Sequence, residues 1–280
     1  MWWYLILLLP VAVVLWLLYE WVEHQWVKYS TTVVECPSLP ANQELRLCLM
    51  SDLHNNKKNL SKLTAHIQNF SPELILLAGD IVDKHNDKNV QAEKFIWALS
   101  ETKIPIYYSV GNHEAYLMER NLQIWKNYFH AIEKHVTFLD NRSVCPDTNP
   151  YIAVSGLSLP DLYYKKGSLQ KSEEALPDFS VSPNRFHILM AHNPEYAKMY
   201  QRYQADFVVA GHLHGGLLRL PFIGGLVSPR LRFTKQDSGL VKLSDTSSLF
   251  ISRGLGSHTI PLRFFNRVEV NFLILRGTAK

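Results

Sequence analysis

Five times along this 280-residue chain a short apolar run ends in a polar cluster, and no other feature limits its fold as much. The clusters are Asp52-Leu53-His54, Gly79-Asp80, Gly111-Asn112-His113-Glu114, His192 and Gly211-His212-Leu213-His214. Leu45-Arg46-Leu47-Cys48-Leu49 alternates as a strand does, and Leu60, Leu63, Ile67 and Phe70 then fall at helical spacing before Ser71-Pro72 stops them. The rhythm repeats with a buried-strand run at Leu74 to Ala78, a helical face at Ala92, Phe95, Ile96 and Leu99, and a strand at 104–110. Further strands are expected at 151–155, 185–191, 206–210, 249–252 and 268–275. Alternating elements imply an α/β fold with a largely parallel sheet. Strands would then carry all five clusters to one edge, where open α/β sheets place their ligand sites.

Two aspartates, an asparagine and five histidines converge in this arrangement. Clustered carboxylates are costly unless cations neutralise them, and a mixed oxygen and nitrogen donor set suits Mn, Fe, Zn or Co. Each piece also has a plain reading by itself: His192 as a hydrogen-bonded core residue, the Gly-Asp and Gly-Asn pairs as turns. The ordered set of five favours a metal site. The three cysteines, Cys36, Cys48 and Cys145, have no paired spacing and point to neither a disulfide framework nor a zinc-thiolate site. A formal charge of +4 does not by itself imply nucleic acid, and none is expected as a partner.

From Trp2 to Tyr19 no side chain is charged, and as a helix this run spans roughly 27 Å, near the thickness of a bilayer core. Trp2, Trp3 and Tyr4 at one end, with Trp16, Tyr19, Trp21 and Trp26 at the other, read as interfacial belts. The sequence therefore predicts an uncleaved, single-pass N-terminal transmembrane helix and a membrane localisation. The expected division is 1–30 anchor and interfacial flank, 31–44 linker marked by Cys36-Pro37-Ser38-Leu39-Pro40, and 45–280 catalytic domain.

The order D-x-H, GD, GNHE, H, GHxH resembles that of the calcineurin-like metallophosphoesterases, over roughly Leu45 to Leu275. The resemblance implies an αββα sandwich of two mixed sheets flanked by helices, and a dinuclear site with two divalent ions, Mn, Fe or Zn. It implies that Asp52, His54 and His214 hold one metal, that Asn112, His192 and His212 hold the other, and that Asp80 bridges them. His113 is then a catalytic hydrogen-bond donor to the phosphoryl or leaving-group oxygen, with Asp52 as a candidate orienting partner. "GHLHGGLLRLPFIGGLVSP" and "RGLGSHTIPLRFFNRVEV" look like the membrane-associated bacterial phosphodiesterase branch, which includes hydrolases of UDP-diacylglucosamine.

No carboxylate lies between Asp206 and Asp237, whereas Arg219, Arg230, Arg232 and Lys235 do. The three arginines are candidate substrate contacts for an anionic, lipid-linked phosphoester, while the same stretch also reads as a loop whose apolar residues pack inside. The expected function is hydrolysis of a phosphodiester or pyrophosphate bond by a membrane-anchored dinuclear enzyme. A soluble nucleotide or small phosphoester as substrate, or a catalytically silent binding module, remain the alternatives.

Overall fold

In the computed structural model, the described residues are 3–165, 176–178, 181, 184–216, 218–220, 224–227, 237–256, 263 and 265–278, the side chains of 3–7, 20, 21, 23–25, 218, 220 and 224–227 excepted. One six-stranded sheet runs in the order β1 (Lys28–Cys36), β14 (Glu269–Gly277), β2 (Glu44–Met50), β3 (Leu74–Ala78), β4 (Ile106–Ser109) and β5 (Thr137–Leu139). The second runs β12 (Gly239–Lys242), β13 (Ser248–Ile251), β9 (Phe207–Ala210), β8 (Phe186–Ala191), β7 (Ile152–Leu157) and β6 (Arg142–Val144). Both are mixed: β2 to β5 are parallel with β14 antiparallel beside β2, and β13, β9, β8 and β7 are parallel between antiparallel edges. A short hairpin, β10 (Leu218–Leu220) with β11 (Gly224–Val227), stands apart.

Strands β3, β7 and β8 are buried along their whole length, which is why they read as continuous apolar runs. Alternate residues of each sheet, among them Leu47, Leu49, Leu76, Val154, Ile188 and Val209, meet in a central core between the two sheets. On the outer face of the first sheet lie α2 (Leu60–Phe70), α3 (Val90–Ser100), α4 (Asn112–Arg120) and α5 (Leu122–Ile132), contributing Ile67, Phe95, Leu117 and Trp125 to a second core. The outer face of the second sheet is covered by short helical turns and α6 (Ala197–Tyr200), with Tyr163, Tyr196 and Tyr200 packed on Leu189 and Val208. The layers are therefore helix, sheet, sheet, helix, as the resemblance implied.

Two expectations change at the N-terminus. Helix α1 (Trp3–Gln25) forms over the apolar run, yet among the described residues no helix is long and apolar enough to cross a membrane. The expected transmembrane helix, single-pass anchor and membrane localisation are corrected accordingly. The physical reason lies in the residues that close the apolar run, whose charges are costly in hydrocarbon. The helix then continues into Glu20, Glu23 and His24 and holds Pro10 inside. Residues 28–36, which the sequence assigns to flank and linker, form the edge strand β1, paired in parallel with β14 from Lys28↔Glu269 to Cys36↔Gly277. Only Val34 and Cys36 of β1 are buried, so its sequence carries little apolar signal.

Candidate metal centre

The chain turns sharply at the C-terminal ends of β2, β3, β4, β8 and β9, and the candidate ligands sit on those turns. Asp52, His54, Asp80, His212 and His214 all have left-handed backbones, with φ of 51°, 48°, 54°, 71° and 53°. Each such residue costs on the order of 1–3 kcal/mol unless its surroundings fix it. Backbone bonds supply part of that fixing, from Asp52 N–H to Gly79 O and from His54 N–H to Asp80 O, both 3.0 Å. Gly79, at φ +81°, cannot be anything larger: a Cβ there would lie 2.7 Å from both Gly111 Cα and His192 Nδ1.

These turns bring together all seven expected ligands. His54 Nε2 and His214 Nε2 are 3.1 Å apart, with His214 Nε2 3.4 Å from Asp52 Oδ1. His192 Nε2 is 3.3 Å from Asp80 Oδ2, and His212 Nδ1 is 2.9 Å from Asn112 Oδ1. Asp80 Oδ2 also lies 3.8 Å from His54 Nε2, which places this carboxylate between the two groups. The clusters able to hold an ion are Asp52, His54 and His214; Asp80, His192 and His212; and His54, Asp80 and His113.

The donor set fits divalent cations on three counts. Ligands about 2.1 Å from a metal on neighbouring corners stand about 3 Å apart, the spacing these atoms show. His192 Nδ1 bonds Ala78 O at 2.6 Å, so the neutral ring turns a lone pair outward on Nε2, and that buried atom has no hydrogen-bond partner. The electrostatics agree. Burial pushes Asp52 up to about 6, partly offset by His192. For Asp80 burial acts upward too, but His192, His113 and His54 outweigh it and hold it well below the usual carboxylate range. Burial lowers His192, and Asp80 and Asp52 overcome this to raise it to about 10. A site that draws a proton onto a buried imidazole is asking for positive charge, which metal ions supply better.

His113 stands at the start of α4 with its ring 4.4 Å from that of His54, centroid to centroid. Lys84 N–H donates to its Nδ1 at 3.1 Å, which leaves the proton of neutral His113 on Nε2. Asp83 Oδ1 lies 3.5 Å from the same Nδ1. Burial lowers the pKa of His113, but Asp80 and Asp83 outweigh it and raise it overall. The neighbours that orient His113 are thus Asp83 and Lys84, not Asp52.

Several residues that the sequence reading left without a role brace the site. Glu114 is fully buried: Oε2 accepts from Asp80 N–H at 2.8 Å and Gly111 N–H at 2.9 Å, and Oε1 from Ile81 N–H, Val82 N–H and the Tyr108 hydroxyl. Behind His214, the buried Arg263 brings Nη2 to 3.1 Å from Nδ1, while Asn266 Nδ2 donates to the carbonyls of His214 and Gly216, each at 2.6 Å. The half-buried Tyr164 packs its ring 5.2 Å from that of His212. Glu114 was visible as the last letter of GNHE. Arg263 and Asn266 lie some 50 residues from the ligand they hold, and no local pattern marks them.

Of the candidate substrate contacts, Arg219 is engaged within the protein. Its Nη1 pairs with Asp237 Oδ1 at 3.0 Å and donates to Gly215 O at 3.3 Å. Arg230 and Arg232 lie outside the described residues.

Comparison with known proteins gives a consistent picture. A family model described as calcineurin-like phosphoesterase matches residues 45–216. An uncharacterised metallophosphoesterase of Campylobacter jejuni is 27% identical over 256 residues, covering 87% of this chain and 62% of that protein. One of Helicobacter pylori is 26% identical over 246 residues, covering 84% and 60%. The chain thus spans about three fifths of the length of these curated relatives. Among solved structures, TT1561 of Thermus thermophilus aligns with a TM-score of 0.47 at 13% identity, covering 76% of this chain and 91% of that one.

Proposed function

The chain belongs to the calcineurin-like phosphoesterase family and is a metal-dependent phosphoester hydrolase, and from that premise we propose that it cleaves a phosphodiester or pyrophosphate bond at a dinuclear centre. Calcineurin-like phosphoesterases use two divalent metals. Here Asp52, His54 and His214 would hold one, Asn112, His192 and His212 the other, with Asp80 between them, and the mixed donors suit Mn, Fe or Zn. Two ions so placed supply positive charge for the phosphoryl oxygens and lower the pKa of an attacking water. His113 would donate from Nε2 to the phosphoryl or leaving-group oxygen, its tautomer set by the Lys84 amide.

The observation that carries this reading is the orphaned His192 Nε2 facing Asp80 in a buried ring of donors. All seven ligands are intact, which favours an enzyme over a silent module. The test is to strip the protein with chelator, reload it separately with Mn, Fe or Zn, and measure bound metal and turnover of bis(p-nitrophenyl) phosphate against p-nitrophenyl phosphate. Two ions per chain with faster diester hydrolysis are expected. Turnover untouched by chelation, or confined to the monoester, overturns it.

A lipid-linked substrate is the narrower reading. Helix α1 exposes Leu8, Leu9, Val11, Val14, Leu15 and Leu18, and its Tyr19 hydroxyl accepts from Phe265 N–H at 2.8 Å, next to Asn266 behind His214. Acylated and deacylated forms of one phosphoester, compared in detergent, should differ in KM if acyl chains are recognised there.

A further inference from the structure

Beside His54 and His113 opens a cavity of about 740 Å³ that no candidate metal ligand lines. Asn55 and Lys57 form one wall; His85, Asn86, Asp87 and Lys88 form the other. The cavity adjoins the reacting centre at two points. Asn55 directly follows His54 in the chain, and the His85 ring lies 6.4 Å from the His113 ring, centroid to centroid.

Its walls are fixed, and fixed so as to present donors. Asn55 Oδ1 accepts from Gln91 N–H at 2.8 Å and Ala92 N–H at 2.9 Å, at the first turn of α3. Asn86 Oδ1 accepts from Lys88 N–H at 3.2 Å and Asn89 N–H at 3.1 Å. With both oxygens committed to backbone, the amide nitrogens are what these side chains offer a ligand. The loop 83–89 is held by Asn89, wholly buried, whose Oδ1 accepts from Asp83 N–H at 2.7 Å and whose Nδ2 donates to Asn86 O at 2.8 Å. Lys57 and Lys88 are exposed and make no ion pair among the described residues. Two ammonium groups and two amide nitrogens share a lining that holds a single carboxylate, Asp87. Such a donor excess suits a ligand rich in anionic oxygen.

The same loop carries Asp83, whose Oδ1 lies 3.5 Å from His113 Nδ1, so the cavity and the candidate catalytic histidine share one loop. We propose that the cavity is a second anion subsite, binding a non-reacting phosphate of the substrate. The inference rests on the phosphodiester or pyrophosphate reading above and narrows it to substrates with more than one phosphate.

The test is the double variant Lys57→Ala/Lys88→Ala, compared with the metal-loaded parent protein on a nucleoside diphosphate sugar and on bis(p-nitrophenyl) phosphate. The ratio of the two KM values is the readout. It should rise about tenfold, the scale of two exposed charge pairs, with kcat for the diphosphate little changed. The effect should shrink as salt screens the lysines. Equal KM changes on both substrates, or none, overturn the subsite. If the parent turns over neither substrate, the reaction assignment fails instead, and ADP binding by calorimetry still decides the subsite. Binding about tenfold weaker in the double variant supports it; no binding by the parent, or equal binding by both proteins, refutes it.

Discussion

The two sheets hold their halves of the metal centre by different means. On the first sheet, Asp80 and Asn112 stand on turns braced from close by: Glu114, two residues after Asn112, ties the Gly79-Asp80 turn to the Gly111-Asn112 turn with four backbone bonds. On the second, His192 leans across to Ala78 O of β3, and His214 is held by Arg263 and Asn266 from a loop just before β14. Near bracing makes the first half a unit that local sequence specifies. The second half is assembled only when distant segments meet, so its geometry depends on the whole fold being in place.

The bridge between the halves should be the most sensitive point. Asp80→Ala is expected to lose both metals and to slow turnover more than about a thousandfold, about 4 kcal/mol of barrier. Metal analysis beside turnover of the small diester checks it; a variant that keeps two ions and turnover within about tenfold would remove Asp80 from its bridging place. His113→Ala should slow kcat by about 10²–10⁴ while both metals stay bound. Loss of one ion would instead place His113 among the ligands, in keeping with its grouping with His54 and Asp80.

Next in size comes the near brace. Glu114→Gln puts an amide NH₂ where one carboxylate oxygen accepts backbone N–H groups, leaving at least two buried donors unmatched, at about 1–3 kcal/mol each. Stability should fall by about 2–6 kcal/mol in denaturant unfolding, with both metals weakened because both turns loosen. A loss confined to one metal would show that Glu114 does not tie the turns together. The far brace should behave differently: Arg263→Met keeps the length of the side chain but removes the donors that tie together the carbonyls of His214, Asn266 and Arg253. One metal should bind about 10–100-fold more weakly, excess metal restoring turnover. Equal weakening of both ions would erase the contrast between the halves.

That contrast also governs what the sequence disclosed. Strand β2 was legible from its alternation, β3, β8 and β9 because burial on both faces leaves apolar runs, and the ligands were legible because each run ends in its cluster. Helix α4 escaped notice because Asn112, His113 and Glu114 are at once site residues and its first turn. Strand β1 was hidden by being an edge strand with alternate side chains exposed. Glu114 could be seen but not interpreted, since its partners are backbone amides that no sequence pattern records. Arg263 and Asn266 were invisible for the opposite reason, being ordinary residues whose importance arises from contact across the chain. The apolar run of α1 misled because its oily residues were weighed without the Glu20 and Glu23 carboxylates into which the same helix continues.

The last expected effect concerns protons. In the metal-free protein His192 is raised to about 10 by Asp80 and Asp52 despite its burial, whereas an unfolded histidine titrates near 6.5. Between those values the folded state holds a proton that the unfolded state has released, so stability falls as pH rises. The contribution is fully present below about pH 6.5 and is lost as pH climbs through 10. Metal on His192 Nε2 replaces that proton and should flatten the slope. Melting temperatures of chelated and reloaded protein from pH 6.5 to 10 supply the check, with a decline expected only in the chelated sample. His192→Gln should abolish the difference in slope, because an amide has no proton to lose in this range. A parallel decline in both samples would mean that metal never reaches His192, and the second-sheet half of the centre would then be a charge relay to Asp80 and not a set of ligands.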